Sequence, residues 1–206
     1  MSMNNPGGTG GAEVPESRGN VAGMLHELAA QVIAAGEGPR LSAPLPVNLP
    51  MIRHWAEAMG DRDPRYAGPD AVAPPAMIQV WTMAGLVERG ERPRIPLDDM
   101  LEAIDEHGYT GVVATDCEHT YQRYLRPGEE LTSATRMSDL AGPKRTALGE
   151  GYFITWLVTW YSGTEPVADM MFRVLKFRPG ERKYPPEEQE PHPLRQAIGG
   201  DGVRRR

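Results

Sequence analysis

Acid–base chemistry in this chain is concentrated in one short stretch, Gly60-Asp61-Arg62-Asp63-Pro64-Arg65-Tyr66. Asp61 is a carboxylate delivered at a helix end, where it can polarise a water. Tyr66 has an ordinary pKa near ~10, so it is protonated at neutral pH and is no proton acceptor. Asp61 also has a structural reading, because aspartate followed by Asp63-Pro64 forms turns. Lys144 and Arg145, expected in a turn before the third strand, have charges suited to phosphate oxygens, and a solvated turn explains them equally well. His54 falls on the polar side of its helix, and His119 alternates along a strand with Cys117 and Tyr121. No His, Asp or Glu set has metal-ligand spacing, so no metal is expected. Gly-Glu-Gly at 149–151 reads as a turn, since nothing places it between a strand and a helix as a phosphate loop requires.

Composition bounds what these residues can serve. With 206 residues, 40% of them hydrophobic and 24% charged, the chain suits one domain with tails. A net charge of -6 gives no basic surface for nucleic acid or an anionic membrane. The single cysteine, Cys117, excludes an internal disulfide and a cysteine-rich zinc site; it fits a reducing cytoplasm and reads as a packing residue in a strand. No apolar run approaches the roughly 18 residues of a membrane helix.

The elements that must position the stretch are punctuated clearly. Residues 1–20 are expected to be a disordered tail, and residues 179–206 a charged, Pro/Gly-rich linker or tail. Met24, Leu25, Leu28, Ala29, Val32 and Ile33 predict a packing helix that stops at Gly36. Asn48 as cap, Pro50 in the first turn and the stripe Met51, Ile52, Trp55, Ala56 and Met59 predict a helix that ends at Gly60 and presents Asp61. Residues 76–87 are apolar nearly all round and follow Pro74-Pro75, which predicts a buried helix. A further helix is predicted over 97–107. Four strands follow, over 111–125, 130–140, 150–162 and 166–178, separated by Arg126-Pro127-Gly128-Glu129, Gly142-Pro143-Lys144 and Ser162-Gly163-Thr164-Glu165. Short connections predict an antiparallel meander, so the expected class is α+β, with the sheet wrapped around the buried helix.

Across residues 47–178 the chain resembles the MaoC-like dehydratases of hotdog fold. The matching pieces are Met51-Ile52-Arg53-His54-Trp55-Ala56-Glu57-Ala58-Met59-Gly60-Asp61, Ala73-Pro74-Pro75-Ala76-Met77, Tyr121-Gln122-Arg123-Tyr124-Leu125-Arg126-Pro127-Gly128-Glu129 and Pro166 to Pro179. Within that family the likeness is to the larger subunit of actinobacterial steroid side-chain enoyl-CoA hydratases, in which an OB-fold module follows the MaoC-like domain. On that comparison residues 21–178 are the hotdog domain with an added N-terminal helix. The excursion from Ala67 to Val72 is shorter than the family's.

The resemblance implies chemistry that this chain lacks. Hydrating an enoyl thioester takes a base for the attacking water and donors for the enolate-like oxygen. The family supplies the base from an Asp/His pair, and Tyr66 stands in the histidine's place. The family's donors lie at the start of the buried helix in a His-Gly pair, where Pro74 and Pro75 stand here, and proline has no N–H. The expectation is therefore a chain with no catalytic residue of its own, Asp61 and Tyr66 being degenerate positions. It would bind substrate through Pro75, Met77, Val80, Trp81 and Ala84, and the CoA phosphates through Lys144 and Arg145. No cofactor is implied beyond the CoA thioester substrate. The expected partner is a small catalytic MaoC-like subunit, in a heterodimer or heterotetramer, acting on a bulky, steroid-like acyl-CoA. Two other readings stay open: a self-sufficient hotdog hydratase or thioesterase using Asp61, and a non-enzymatic acyl-CoA scaffold that docks an aldolase or thiolase-like protein.

Overall fold

A computed structural model describes residues 16–83 and 92–180. Its elements are α1 (Glu16–Ala35), β1 (Leu41–Ser42), α2 (Leu49–Met59), α3 (Ile78–Thr82), α4 (Pro96–Glu106), β2 (Gly111–Tyr121), β3 (Leu131–Thr146), β4 (Gly149–Ser162) and β5 (Glu165–Phe177). The strands form one antiparallel sheet in the order β1-β3-β4-β5-β2. No helix among the described residues is long and apolar enough to cross a membrane.

Only part of the expected meander forms. β3, β4 and β5 follow one another through tight hairpins, but β2 pairs with β5 rather than β3. The strand expected over 111–125 ends at Tyr121, and residues 122–130 cross to the far side of the sheet. That crossing is tied down by Ala73 N–H donating to Leu125 O at 2.8 Å and by the Arg123 fork on Glu129 and Glu165. A segment fixed by its own bridge and ion pairs is a crossover, whatever its turn residues suggest.

The expected turn at Arg126-Pro127-Gly128-Glu129 forms, Glu129 N–H donating to Arg126 O at 3.2 Å, but the Gly142-Pro143-Lys144 turn is absent. β3 continues through it with a register shift between Ala141 and Lys144, and the hairpin closes instead at Ala147-Leu148. Gly142 at φ 145° accommodates the irregularity as a bulge. Gly149, Glu150 and Gly151 therefore open β4 and form no turn of their own.

Alternation gives the sheet one face for the helices. Tyr152, Ile154, Trp156, Val158 and Trp160 of β4 all lie on it, in two clusters. α2 and α3 cover one end through Ile52, Met77, Ile78 and Trp81. α1 and α4 cover the other through Leu25, Ala29, Met100 and Ile104. The predicted packing role of the first helix is thus observed, although it starts at Glu16, inside the expected tail. Its contacts explain the extension: a helix seated on β3 and α4 gains its stability from tertiary packing rather than propensity.

Expected and observed helices agree for α2 and α4. Asn48 caps α2 through its side chain, which accepts Met51 N–H at 3.0 Å, and Gly60 ends it at φ 66°. The Asp98 side chain accepts Ile95 N–H at 2.9 Å to start α4. The buried helix is much shorter than predicted. A 3₁₀ turn over Pro75–Met77 leads into α3, and Met83 is already extended at ψ 117°. Residues 84–91 lie outside the described part.

Truncation of Ile104 to alanine, at a site with no exposed surface, is expected to cost about 2–5 kcal/mol of unfolding free energy. Denaturant melts of the two proteins check this; a change within 0.5 kcal/mol, the scale of an ordinary surface substitution, would show that α4 is not part of the core.

Candidate functional site

The loop after α2 is folded onto itself. Asp61 N–H donates back to Ala56 O at 2.8 Å, completing the helix cap. One Asp61 carboxylate oxygen, Oδ1, accepts Asp63 N–H at 3.0 Å, and Asp63 Oδ1 accepts Arg65 N–H at 2.9 Å. These are the turn-forming bonds expected of aspartate. Asp63 caps a 3₁₀ turn over Pro64–Tyr66. The guanidinium of Arg65 grips Asp63 with two nitrogens and donates to Tyr124 Oη at 2.6 Å. That grip holds the Asp63 carboxyl below the usual carboxylate range. The short excursion closes when Val72 N–H donates to Arg65 O at 2.9 Å.

Tyr66 is the residue that decides what the loop can do. Its ring is 8% exposed and sits in the core cluster with Ile52, Ala73 and Met77. Burial raises the phenol's pKa, and the nearby Tyr124, Asp61 and Asp63 raise it further. The group is fixed in its neutral form at physiological pH and can only donate or accept a hydrogen bond. Asp61 stays exposed in a cleft of about 520 Å³, lined also by Arg53, Glu57, Arg62, Asp63 and Tyr66.

The start of the buried helix is poor in donors for an oxyanion. Pro74 and Pro75 bring no N–H, Ala76 is exposed and is the first residue there with one, and beyond it the donors turn inward: Met77 donates to Pro74 O at 3.0 Å and Ile78 to Pro75 O. The structure therefore brings Pro75, Met77, Val80 and Trp81 together with the Asp61 and Tyr66 loop at one end of the sheet. Met77 (1% exposed) and Trp81 (3%) are core residues, while Pro75 and Val80 are half-buried. Ala84 lies outside the described residues.

Lys144 and Arg145 are at the other end of the sheet, within β3 rather than in a turn. Along β4 the ten steps from Trp160, beside α3, to Glu150, opposite Arg145, span roughly 33 Å at ~3.3 Å each.

Sequence reasoning missed the open part of the helix-bearing face. Cys117, expected as packing, is exposed on β2. Its neighbours form an aromatic shelf: His119 stacks on Tyr121 (5.7 Å, 7°) and on Trp160 (6.3 Å, 22°), and Trp160 Nε1 donates to Thr82 Oγ1 at 2.8 Å. The alternation of positions 117, 119 and 121 was the available signal; that no helix among the described residues covers them follows from α3 ending at Thr82. Among the described residues no group of His, Cys, Asp and Glu could hold a metal.

Residues 42–170 match the model of the FAS1-like dehydratase domain region. The chain belongs to this family. A FAS1-like dehydratase domain of MaoC-like hotdog type accounts for the sheet order and the helix it wraps. The chain is 50% identical over 81% of its length to the 3-oxo-4,17-pregnadiene-20-carboxyl-CoA hydratase alpha subunit of Mycobacterium tuberculosis, of which it covers 57%. It is 41% identical over 73% of its length to a probable enoyl-CoA hydratase alpha subunit of Thermomonospora curvata, of which it covers 50%. It thus spans about half the length of these curated relatives. In structure it is similar to a chain of the ChsH1-ChsH2 complex of Mycobacterium tuberculosis, with a TM-score of 0.72, 49% identity, 77% of this chain and 98% of that chain covered.

Burial lowers the pKa of His119, so folding favours its neutral form. The sign follows: as pH falls through the unfolded value near ~6.5, the unfolded chain takes up the proton first and stability is lost. Thermal melts at pH 7.5 and 5.5 are expected to show a larger fall in Tm for wild type than for His119→Gln. An equal fall in both would remove the imidazole from the account.

Proposed function

We propose that this chain is the substrate-holding, chemically silent half of a heteromeric enoyl-CoA hydratase, and that a small MaoC-like partner with an intact Asp/His loop performs the proton transfers. The observation that carries the reading is Tyr66, a buried, neutral phenol where a proton acceptor would have to be. In the reaction a base removes a proton from water as its oxygen attacks the β-carbon, negative charge moves to the thioester oxygen, and a proton is returned to the α-carbon. These steps are redox-neutral and need no cofactor beyond the CoA thioester itself.

The free side of β2 supports a partner. β2 is an 11-residue strand paired on one side only, with Val112 (61% exposed) and Tyr121 (40%) uncovered. Its free edge, bulged between Ala114 and Asp116, presents unpaired backbone N–H and C=O groups, and a second hotdog adding its own edge strand would pair them and create a heterodimer, or a heterotetramer by repetition. The 50% identity to a pregnadiene-carboxyl-CoA hydratase subunit favours a bulky acyl-CoA of the steroid side-chain type. Pro75 and Val80, at the accessible rim of α3, would contact the acyl group, with Met77 and Trp81 behind them; of the two cations expected to meet the CoA phosphates, Arg145 would do so, since Lys144 lies in a groove where carboxylates balance it. The net charge of -6 argues against nucleic acid and anionic membranes as partners and, with the single cysteine, suits the cytoplasm.

One observation favours a second reading: Asp61 is exposed in an open cleft, as a self-sufficient hydratase or thioesterase would need. A non-enzymatic scaffold that docks an aldolase is the third. Assay of the purified chain, the partner and their mixture on a bulky enoyl-CoA separates the three. Hydration by the mixture at least 10²-fold above this chain alone is expected, the scale of one positioned acid–base group. Full turnover by this chain alone would establish the second reading, and no turnover in any arm the third.

A further inference from the structure

Lys144 and Arg145 are adjacent in sequence and separate in the fold, because neighbouring strand residues point to opposite faces. Lys144 lies on the outer face with its Nζ 5.6 Å from the Phe153 ring centroid, in a groove shared with Asp116, Asp139 and Arg173. Two carboxylates balance the two cations there, and the groove has no excess charge to offer an anion. Arg145 pairs across the hairpin with Glu150 and opens on a different cavity of about 330 Å³, lined by Arg145, Thr146, Gly149, Glu150 and Arg178.

We propose that this second cavity is an oxyanion site that takes a phosphoryl group, with Arg145 and Arg178 as its charged donors. The inference stands on the cavity alone; assigning the phosphoryl group to a CoA thioester rests on the function proposed above. Arg178 is already held in place. Its backbone N–H donates to Glu150 O at 2.9 Å, its Nη2 donates to His107 O at 2.9 Å, and its guanidinium lies 4.5 Å from the Tyr109 ring centroid. A fork fixed by packing loses little entropy when it binds, which is how guanidinium comes to prefer phosphate oxygens. Arg145 has no ion-pair partner among the described residues, so its charge is available.

The one acid in the cavity is partly engaged. Glu150 Oε1 accepts the Tyr109 hydroxyl at 3.1 Å. Two guanidiniums against one carboxylate leave the lining with one excess positive charge. Gly149, at φ 130°, lets the hairpin lie against Arg178, since a Cβ there would run into the Arg178 carbonyl. Thr146 completes the rim, its hydroxyl donating to Gly149 O at 2.7 Å.

The test is titration calorimetry of the full chain with coenzyme A, dephospho-coenzyme A and inorganic phosphate, on wild type, Arg145→Gln, Arg178→Gln and Lys144→Gln. Wild type is expected to bind coenzyme A, Arg145→Gln and Arg178→Gln to weaken it roughly tenfold or more, and Lys144→Gln to leave it unchanged. Arg178 also ties down His107 and Tyr109, so its variant could lose the fold; Arg145 makes no such contact and decides the matter by itself. Inorganic phosphate binding with the same arginine dependence identifies a general phosphate site, and coenzyme A binding alone identifies the nucleotide tail. No binding by wild type, no loss in Arg145→Gln, or equal loss in Lys144→Gln overturns the site. Hydration by the two-subunit mixture with a KM indifferent to Arg145 would sink the site and leave the hydratase reading standing. Arginine-dependent binding without any hydration would do the reverse.

Discussion

A sheet with one apolar face must have that face covered, and most of this molecule is arranged to meet that constraint. Two helices cover each end of β3, β4 and β5, and both clusters meet at Trp156 and Phe172. Among the described residues the cover stops short of β2, α3 running from Ile78 to Thr82. What remains open is a strip of helix-bearing face bounded by an unpaired strand edge, carrying Cys117, His119 and Tyr121. Uncovered apolar area of this kind is worth about 25 cal/mol for each Å² removed from water, which favours association with a second surface of like shape.

The loop after α2 follows the same logic on a smaller scale. The backbone donors of Asp63 and Arg65 are satisfied by Asp61 and Asp63, the Arg65 guanidinium by Asp63 and Tyr124, and the Tyr66 ring by the core. The carboxylate of Asp63, the guanidinium of Arg65 and one Asp61 oxygen are occupied in shaping the turn, while the second Asp61 oxygen, the Arg62 guanidinium and the Tyr66 hydroxyl have no side-chain partner among the described residues. Functional sites usually carry strain or unsatisfied groups. Here the non-glycine residues all keep ordinary backbone angles, which suits a loop whose role is structural.

Much of this was legible in the sequence, for identifiable reasons. α2 was bounded by a cap, a first-turn proline and a terminal glycine, signals that act within a few residues. The degenerate loop was readable because a pKa belongs first to the residue type, and burial of Tyr66 only pushed it further the same way. The order of strands was not legible, since the crossover at 122–130 carries the residues of a tight turn, Arg-Pro-Gly-Glu, and is fixed by long-range contacts with Ala73 and Glu165. The bulge at Gly142 and Pro143 likewise imitates a hairpin. Lys144 and Arg145 show the same limit at a site: the sequence makes them a pair, and only the register of β3 against β4 assigns them to different faces.

The most direct measurement is the turnover number of the assembled two-subunit hydratase after removing one carboxylate or imidazole at a time. With Asp61→Asn in this chain the account predicts kcat within about twofold of the unaltered complex, and with the loop histidine of the partner replaced by alanine it predicts a loss of at least 10²-fold, the usual contribution of general acid–base catalysis. A collapse of kcat on changing Asp61, with the partner's histidine dispensable, would contradict it.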